Sequence, residues 1–349
     1  DEVQHVVIIP NYQEPVDVLA SSLEHIAAAL QAHEQITIVL AMEAAETDSI
    51  RKAETLQAQF QGRFRHFHFT VHPSGLPGEM QCKSANQAWA ARWIKRKLVD
   101  QLGYDIDHIV VTTMDADTLW HESYFTALTY YFAIDPERYN RFWQAPIRYH
   151  ANVFAVHPLL RLVNAYSTAI ELAYLAADWW LSLPMSSYSL SLRLLDTVDY
   201  WDPDVIADEW HMYIKAWFDQ DGDLSLTPVY LPFLATAVTG PTFLRACINR
   251  YRQSLRHAWG SKEIGYTIAH MIDRPTPGWW SSLRLLMRVA HDILHSGAGW
   301  IMVTLGTQLP LLLNPDLLER LLNDPFGLRP FVVLNVSFLV ILLLGVVFW

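Results

Sequence analysis

Cysteine is nearly absent from this sequence. Cys82 and Cys247 are the only two in 349 residues, too few for a disulfide framework and in no zinc-binding pattern, which fits a reducing compartment. Charge is scarce as well: 17% of residues are charged against 52% hydrophobic. Positive charge is the scarcer sign, with 25 Lys and Arg facing 36 Asp and Glu for a net charge of −11. That balance, with no basic cluster to offset it, repels nucleic acid at long range and argues against it as a partner. An anionic ligand must then be held by a few local cations or by a metal. No signal-like segment precedes the first strand, and the chain starts abruptly at Asp1.

Charge disappears altogether over residues 297–313 and 331–349. The second run is long enough to span a bilayer, and the first becomes so with a few flanking residues or a kink at Pro310. Either run alone reads equally well as a buried core helix. Together, near the end of the chain, they predict a transmembrane hairpin over 297–349, as though this were a piece of a longer membrane protein.

The remainder is large enough to bury a sizeable core. Val6-Val-Ile-Ile9 and Ile36-Thr-Ile-Val-Leu-Ala41 are apolar runs suited to buried strands, each followed by turn-forming or acidic residues and then a helix, about 16–31 and 49–61. Phe67-His-Phe-Thr-Val71 alternates as a third strand. It leaves His66, His68 and His72 on one face, which is far more often a half-exposed strand face than a metal site. Strand and helix alternating at this spacing predict an α/β fold with a mostly parallel sheet flanked by helices. Later helices are expected over about 83–102, 118–134, 159–180, 208–218 and 240–252, and strands near 142–146 and 227–232. Ser186-Ser-Tyr-Ser-Leu-Ser191 reads as a small-residue loop.

Four stretches carry chemistry. The run His108-Ile-Val-Val-Thr-Thr-Met114 ends in Asp115-Ala-Asp117, a carboxylate pair at a strand's carboxyl end, where open α/β sheets bind ligands. Two such carboxylates can hold a divalent cation, and the cation a diphosphate. Lys83 and Asn86 lie near a helix start, where a lysine beside free N–H groups suits a phosphate. Asp208 and Glu209 open another helix. The plain reading makes Asp208 an N-cap, and the chemical one makes the pair a source of a general base kept ionised by the helix terminus. Gln253, Arg256, His257 and Trp259 close a helix with their polar groups on a shared face. Asp219-Gln-Asp-Gly-Asp223 is acidic, but its glycine is misplaced for a calcium loop and it reads as a tight turn. Residues 279–295 are amphipathic, with paired tryptophans at the start and Arg284, Arg288 and His291 opposite an apolar face. This pattern predicts a helix lying in a membrane interface.

In this order the stretches resemble the membrane-integrated family 2 glycosyltransferases, which include cellulose, chitin and hyaluronan synthases. Val7-Ile-Ile-Pro-Asn-Tyr-Gln-Glu14 looks like the family's opening strand and nucleotide-binding turn, Lys83-Ser-Ala-Asn86 like its lysine–asparagine helix start, and Asp115-Ala-Asp117 like its metal motif. Ala207-Asp-Glu-Trp210 looks like the segment holding the base, and the stretch from Gln253 to Trp259 like the Gln-x-x-Arg-Trp segment at the acceptor mouth. The order of the base segment is reversed, so Glu209 inherits the base role. His257 stands where the family places tryptophan, and Trp259 follows two residues later.

The resemblance implies a GT-A-like domain over 1–278, with a nucleotide-binding half (1–117) and an acceptor half (118–278), then an interface helix (279–296) and the hairpin. It implies inverting transfer from a nucleotide-diphosphate sugar to a glycan or lipid acceptor at the cytoplasmic face of the cell membrane, in contact with membrane lipids. Pro10, Tyr12, Glu14, Glu43, Lys83, Asn86 and Asp115 would bind the donor, and Asp115 and Asp117 a Mg²⁺ or Mn²⁺. Glu209, beside Asp208, would be the base; Gln253, Arg256, His257 and Trp259 would close over diphosphate and acceptor. Two rivals remain: a haloacid-dehalogenase-like phosphatase using Asp115-Ala-Asp-Thr118, and a catalytically silent membrane scaffold of the same fold.

Overall fold

The computed structural model describes residues 2–274, 276–294, 306, 309, 313–324, 331–333, 335–337 and 339–340, with His257 described in its backbone only. Strands β1 (Gln4–Pro10), β2 (Ile36–Glu43), β3 (His66–His72), β4 (Ile109–Thr113), β5 (Arg141–Gln144), β6 (Ile147–Arg148), β7 (Tyr188–Ser191), β8 (Ser225–Pro228) and β9 (Phe233–Leu234) are joined mainly by helices. These are α1 (Val16–Ala27), α2 (Ala32–Gln35), α3 (Ser49–Gln59), α4 (Lys83–Lys95), α5 (Tyr124–Ile134), α6 (Pro158–Ala176), α7 (Leu192–Thr197), α8 (Asp208–Asp219), α9 (Phe243–His257), α10 (Lys262–Asp273) and α11 (Trp279–Leu294). A further helix spans Pro315–Asn323.

Seven strands form one sheet in the order β3-β2-β1-β4-β7-β5-β8. All neighbours pair in parallel except β7, which runs antiparallel to both β4 and β5. The apolar runs form the parallel strands because both sheet faces are covered, and strands covered on both faces need continuous rather than alternating hydrophobicity. On one face α4 and α8 contribute Ala88, Ile94, Met212 and Ala216 to a core with Val6, Ile8, Val39 and Leu190. On the other, α1, α3 and α5 contribute Leu23, Leu56 and Leu128 to a core with Val7, Ile38 and Val110.

The segment expected to be a small-residue loop is partly this antiparallel strand, inserted at the middle of the sheet. Ser187, Ser189 and Ser191 are completely buried, and their hydroxyls are paired. Ser189 Oγ meets Thr112 Oγ1 at 2.7 Å and the Tyr124 hydroxyl at 2.9 Å, while Ser191 Oγ accepts from the Leu194 amide at 3.0 Å. Serine thus satisfies the sheet's sterics and its own polarity, but gives no hydrophobic signal. The acidic stretch after α8 is the expected turn, with Gly222 at φ +84, where an added Cβ would also collide with the Pro277 side chain.

Helix α11 packs along α10 and sends Leu285 and Val289 into the sheet's core. Its polar face differs from the expected one. Arg288 turns inward rather than toward lipid, its Nε donating to the Leu181 carbonyl at 2.6 Å and its guanidinium lying 4.9 Å from the Trp180 ring. Trp279, Trp280, Met287 and Leu294 are the exposed apolar residues. Among the described residues no helix is long and apolar enough to cross a membrane. Most of the expected transmembrane hairpin lies outside those residues.

Candidate functional site

Parallel strands put their carboxyl ends on one edge, and the helices that follow begin there too. At this edge β1 delivers Pro10, β2 delivers Glu43, and β4 delivers Asp115 two residues beyond its end. Antiparallel β7 enters the sheet at the same edge, so Ser186 and Ser187 arrive beside Asp115. Lys83 is the first residue of α4, and Asp208 and Glu209 are the first two of α8, where the helix dipole favours carboxylates.

Lys83 is the hub. Its Nζ donates to Asp115 Oδ1 at 2.7 Å and to the Ser186 carbonyl at 3.4 Å, and stands 3.5 Å from Glu209 Oε1. Burial alone would depress its pKa, but Asp115, Asp208 and Glu209 outweigh that and hold it well above the usual lysine value. Asp115 Oδ2 accepts from Ser186 Oγ at 2.6 Å, and the Asp115 amide donates to Ser187 Oγ at 3.2 Å. The carboxylates that sequence places in separate motifs are thus gathered around one ammonium.

Asp208 and Glu209 divide their roles. Asp208 is not an N-cap: Ala207 holds that position, and Asp208 is buried with a carboxylate oxygen accepting from Gln87 Nε2. Gln87 Oε1 in turn accepts from Thr113 Oγ1, so a buried chain ties the start of α8 to the end of β4. Glu209 keeps 24% of its side chain exposed. Burial, then the neighbouring Asp208, push its pKa up to about 8 against the opposing pull of Lys83.

Asp117 also sits above its ordinary value, first through burial and then through Asp115, while a hydrogen bond from Thr236 opposes the rise. Burial and then Asp117 raise Glu14 in the same way, with Lys52 opposing and Asp115 adding to the rise. Such crowding of like charge is relieved by a cation, and Asp115 and Asp117 offer hard oxygen donors of the kind Mg²⁺ or Mn²⁺ takes. Among the described residues, no three His, Cys, Asp or Glu side chains converge into a metal site by themselves. A divalent ion here would draw its remaining ligands from water and from a phosphate-bearing ligand, the usual habit of Mg²⁺.

The residues expected on the nucleotide side are less uniform. Tyr12 is half exposed at the edge and Pro10 ends β1. Glu43 is buried, its carboxylate 3.2 Å from His72 Nδ1, and His72 Nε2 is 2.8 Å from Glu79. Asn86 Nδ2 donates to the Ala41 carbonyl at 2.7 Å, bracing β2. Lys52, which belongs to no motif, pairs with Glu46 and donates to Asn11 Oδ1 at 3.3 Å and to the Glu14 carbonyl at 2.9 Å, fixing the turn after β1.

On α9, Gln253 Oε1 accepts from Arg250 Nη1 at 2.6 Å. Arg256 is exposed. Trp259 is half exposed, with Lys262 Nζ lying 4.6 Å from its ring centre. The His257 side chain lies outside the described residues. Gln87, Ser186, Ser187 and Thr236 are site residues that sequence reading missed. Only Gln87 carried a signal, lying one helical turn after Lys83 on the same face.

No protein-family model matches the chain, and no curated protein matches it in sequence. Solved structures do resemble it. A mannosyltransferase from Pyrobaculum calidifontis, in complex with GDP-Man and Mn²⁺, superposes with a TM-score of 0.51 at 13% identity, covering 99% of this chain and 86% of that one. The 1–349 fragment of TarS from S. aureus gives a TM-score of 0.49 at 11% identity over 88% of this chain and 77% of its own. The first similarity shows the fold: a mostly parallel α/β sheet flanked by helices, of the GT-A-like kind.

Proposed function

We propose that this protein transfers a sugar from a nucleotide-diphosphate sugar to a hydroxyl acceptor, with inversion and with a divalent cation bound. One observation carries the reading: Lys83 is held jointly by Asp115 and Glu209 at the carboxyl edge of the sheet, so a cation suited to a diphosphate and a candidate base face the same point. The GDP-Man and Mn²⁺ of the mannosyltransferase neighbour favour this donor class and a divalent ion.

In the proposed reaction, Pro10, Tyr12, Glu14, Glu43 and Asn86 shape the nucleoside side. Asp117, with Asp115, holds Mg²⁺ or Mn²⁺, which when bound supplies positive charge to the leaving diphosphate. Lys83 exchanges its carboxylate partners for diphosphate oxygens, which frees Glu209. Glu209 takes the acceptor's hydroxyl proton as that oxygen attacks the anomeric carbon, and the carbon–oxygen bond to the diphosphate breaks on the opposite face. Asp208 holds Glu209's helix start in place through Gln87. Gln253, Arg256, His257 and Trp259 close over diphosphate and acceptor. The exposed tryptophans of α11 favour a glycan or lipid acceptor met at a membrane surface, its cytoplasmic face in this reading.

The test is calorimetry of nucleotide sugars, including GDP-mannose and UDP-N-acetylglucosamine, with and without Mn²⁺, followed by mass analysis of the product from the best donor. Glu209→Gln is expected to retain donor affinity and to lose turnover by roughly 10²–10⁴-fold, the usual contribution of a general base. Wild-type turnover in that variant would remove Glu209 from the role. A phosphatase would instead release phosphate from simple esters without any nucleotide sugar. Here Asp115 follows the fourth strand rather than the first and is held by Lys83 and Ser186, an arrangement that favours transfer.

A further inference from the structure

Ser186 stands at the carboxyl edge of the sheet in a conformation that residues with a Cβ avoid. Its φ is +56, in the left-handed region that favours glycine. The Ser187 amide donates back to the Met185 carbonyl at 2.6 Å, which closes a three-residue turn of the rare positive-φ kind centred on Ser186. Such a turn is unfavourable by itself and persists only where its surroundings dictate it.

Gln144, the last residue of β5, supplies those surroundings. Its side chain is completely buried and brackets Ser186 from both sides. Oε1 accepts from the Met185 amide at 2.9 Å, and Nε2 donates to the carbonyls of Ala145 at 2.8 Å, Ser187 at 3.1 Å and Met185 at 3.2 Å. Ser187 is pinned a second time, its Oγ meeting Thr118 Oγ1 at 3.0 Å and accepting from the Asp115 amide at 3.2 Å. Both neighbours of Ser186 are thus fixed. Ser186 itself, only half buried, reaches the candidate site: its Oγ donates to Asp115 Oδ2 at 2.6 Å, and its carbonyl accepts from Lys83 Nζ at 3.4 Å. Rotation about φ moves the hydroxyl and the carbonyl together relative to Met185, so the two contacts stand or fall with the turn.

We propose that Gln144 is a positioning residue for the transfer reaction: by holding the 185–187 turn it makes Ser186 aim the Asp115 carboxylate and steady Lys83. The inference rests on the proposed function for the reaction it serves, and on the hydrogen bonds alone for the clamp. Lys83 holds the other oxygen of Asp115 at 2.7 Å. When Lys83 moves to a diphosphate, Ser186 is the contact that keeps that carboxylate in place. A group already held in its working geometry need not be ordered at the moment of reaction. Gln144 touches no reacting group and acts through Ser186.

The test is a double-mutant cycle read in kcat/KM with the best nucleotide sugar, in wild type, Gln144→Met, Ser186→Gly and the two together. Glycine adopts positive φ freely, so the turn no longer needs the clamp in the Ser186→Gly background. The loss that Ser186→Gly carries by itself, that of the hydroxyl on Asp115, cancels in the cycle. Gln144→Met is expected to lower kcat/KM about tenfold or more with Ser186 in place, and less than about threefold in the Ser186→Gly background. A purely structural glutamine would cost the same factor in both backgrounds; that result overturns the proposal, as does an unchanged kcat/KM in Gln144→Met. Should Gln144→Met fail to fold, the isosteric Gln144→Glu, which loses the donating nitrogen, decides by the same comparisons. The crystal structure of the folded Gln144 variant is a second readout that needs no activity: Ser186 leaving positive φ supports the clamp, and an unchanged turn refutes it. Absence of sugar transfer in wild type would refute the proposed function and leave the clamp to that structure.

Discussion

At the scale of single residues, the environment of Glu209 makes a prediction about rate and pH. A base must be ionised to act, and burial beside Asp208 lifts Glu209 to about 8. For the free enzyme, kcat/KM should therefore rise about tenfold per pH unit below that value and level off above it. Lys83 is the group that opposes the rise, so Lys83→Met should carry the same limb to still higher pH as well as weaken donor binding. Steady-state rates across pH 6–10 with a fixed donor, a window of about two units on either side of that limb, check both expectations. A flat profile in wild type, or an unmoved limb in the lysine variant, would separate Glu209 from proton transfer.

At the scale of elements, the proposed base depends on how α8 is anchored. His211, which follows Trp210 in the first turns of that helix, lies buried between Asp202, 2.8 Å from Nε2, and Glu263 on α10, 3.0 Å from Nδ1; Lys215 also binds Asp202. Burial would lower the His211 pKa, but the two carboxylates outweigh it and raise it to about 9. For Asp202 burial acts upward, and His211 and Lys215 overcome it to bring the carboxyl down to about 2. A raised histidine stabilises fully below its ordinary 6.5 and loses that contribution as pH climbs through about 9. A lowered aspartate stabilises fully above 3.8 and loses that as pH falls through about 2. His211→Asn should accordingly cost roughly 3–5 kcal/mol, as when one partner of a buried pair is removed. Denaturation at several pH values should show the gap from wild type widest between those two windows and shrinking as pH passes about 9. None of this network was visible in sequence, where His211 and Glu263 stand far apart. The elements that were legible had a repeating signal: β1, β2 and β4 are apolar, β-branched runs, and Lys83, Asp115, Asp117 and Glu209 stand where such runs or helices begin or end. Strand β7 had none, because serines that satisfy one another inside a sheet look like a loop when read singly. For the same reason Ser186, which the antiparallel strand brings to Asp115, went unnoticed.

At the scale of the whole molecule, charge and exposed apolar surface pull in different directions, and their balance is measurable. Trp279, Trp280, Met287 and Leu294 of α11 are each more than half exposed, as is Ile272 of α10. Trp280, Met287 and Leu294 recur every seven residues and so form one stripe along the helix. Monomeric proteins seldom display such a face without a use for it, and tryptophans suit the interfacial zone of a bilayer. The net charge of −11 opposes attraction to anionic lipid, and Arg288, which could have offset it, is buried against Trp180. Binding through this face must then be driven by apolar burial, which neither salt nor lipid charge strengthens. The expected result is partition onto phosphatidylcholine vesicles with a blue shift in tryptophan emission, insensitive to salt and no stronger when phosphatidylglycerol is added. Fully burying one large apolar side chain is worth about 1.5–3 kcal/mol, so Trp279→Ser with Trp280→Ser should weaken partition at least about tenfold. Binding that appears only with anionic vesicles, or that survives the double substitution unchanged, would show that α11 is not the surface in contact with lipid.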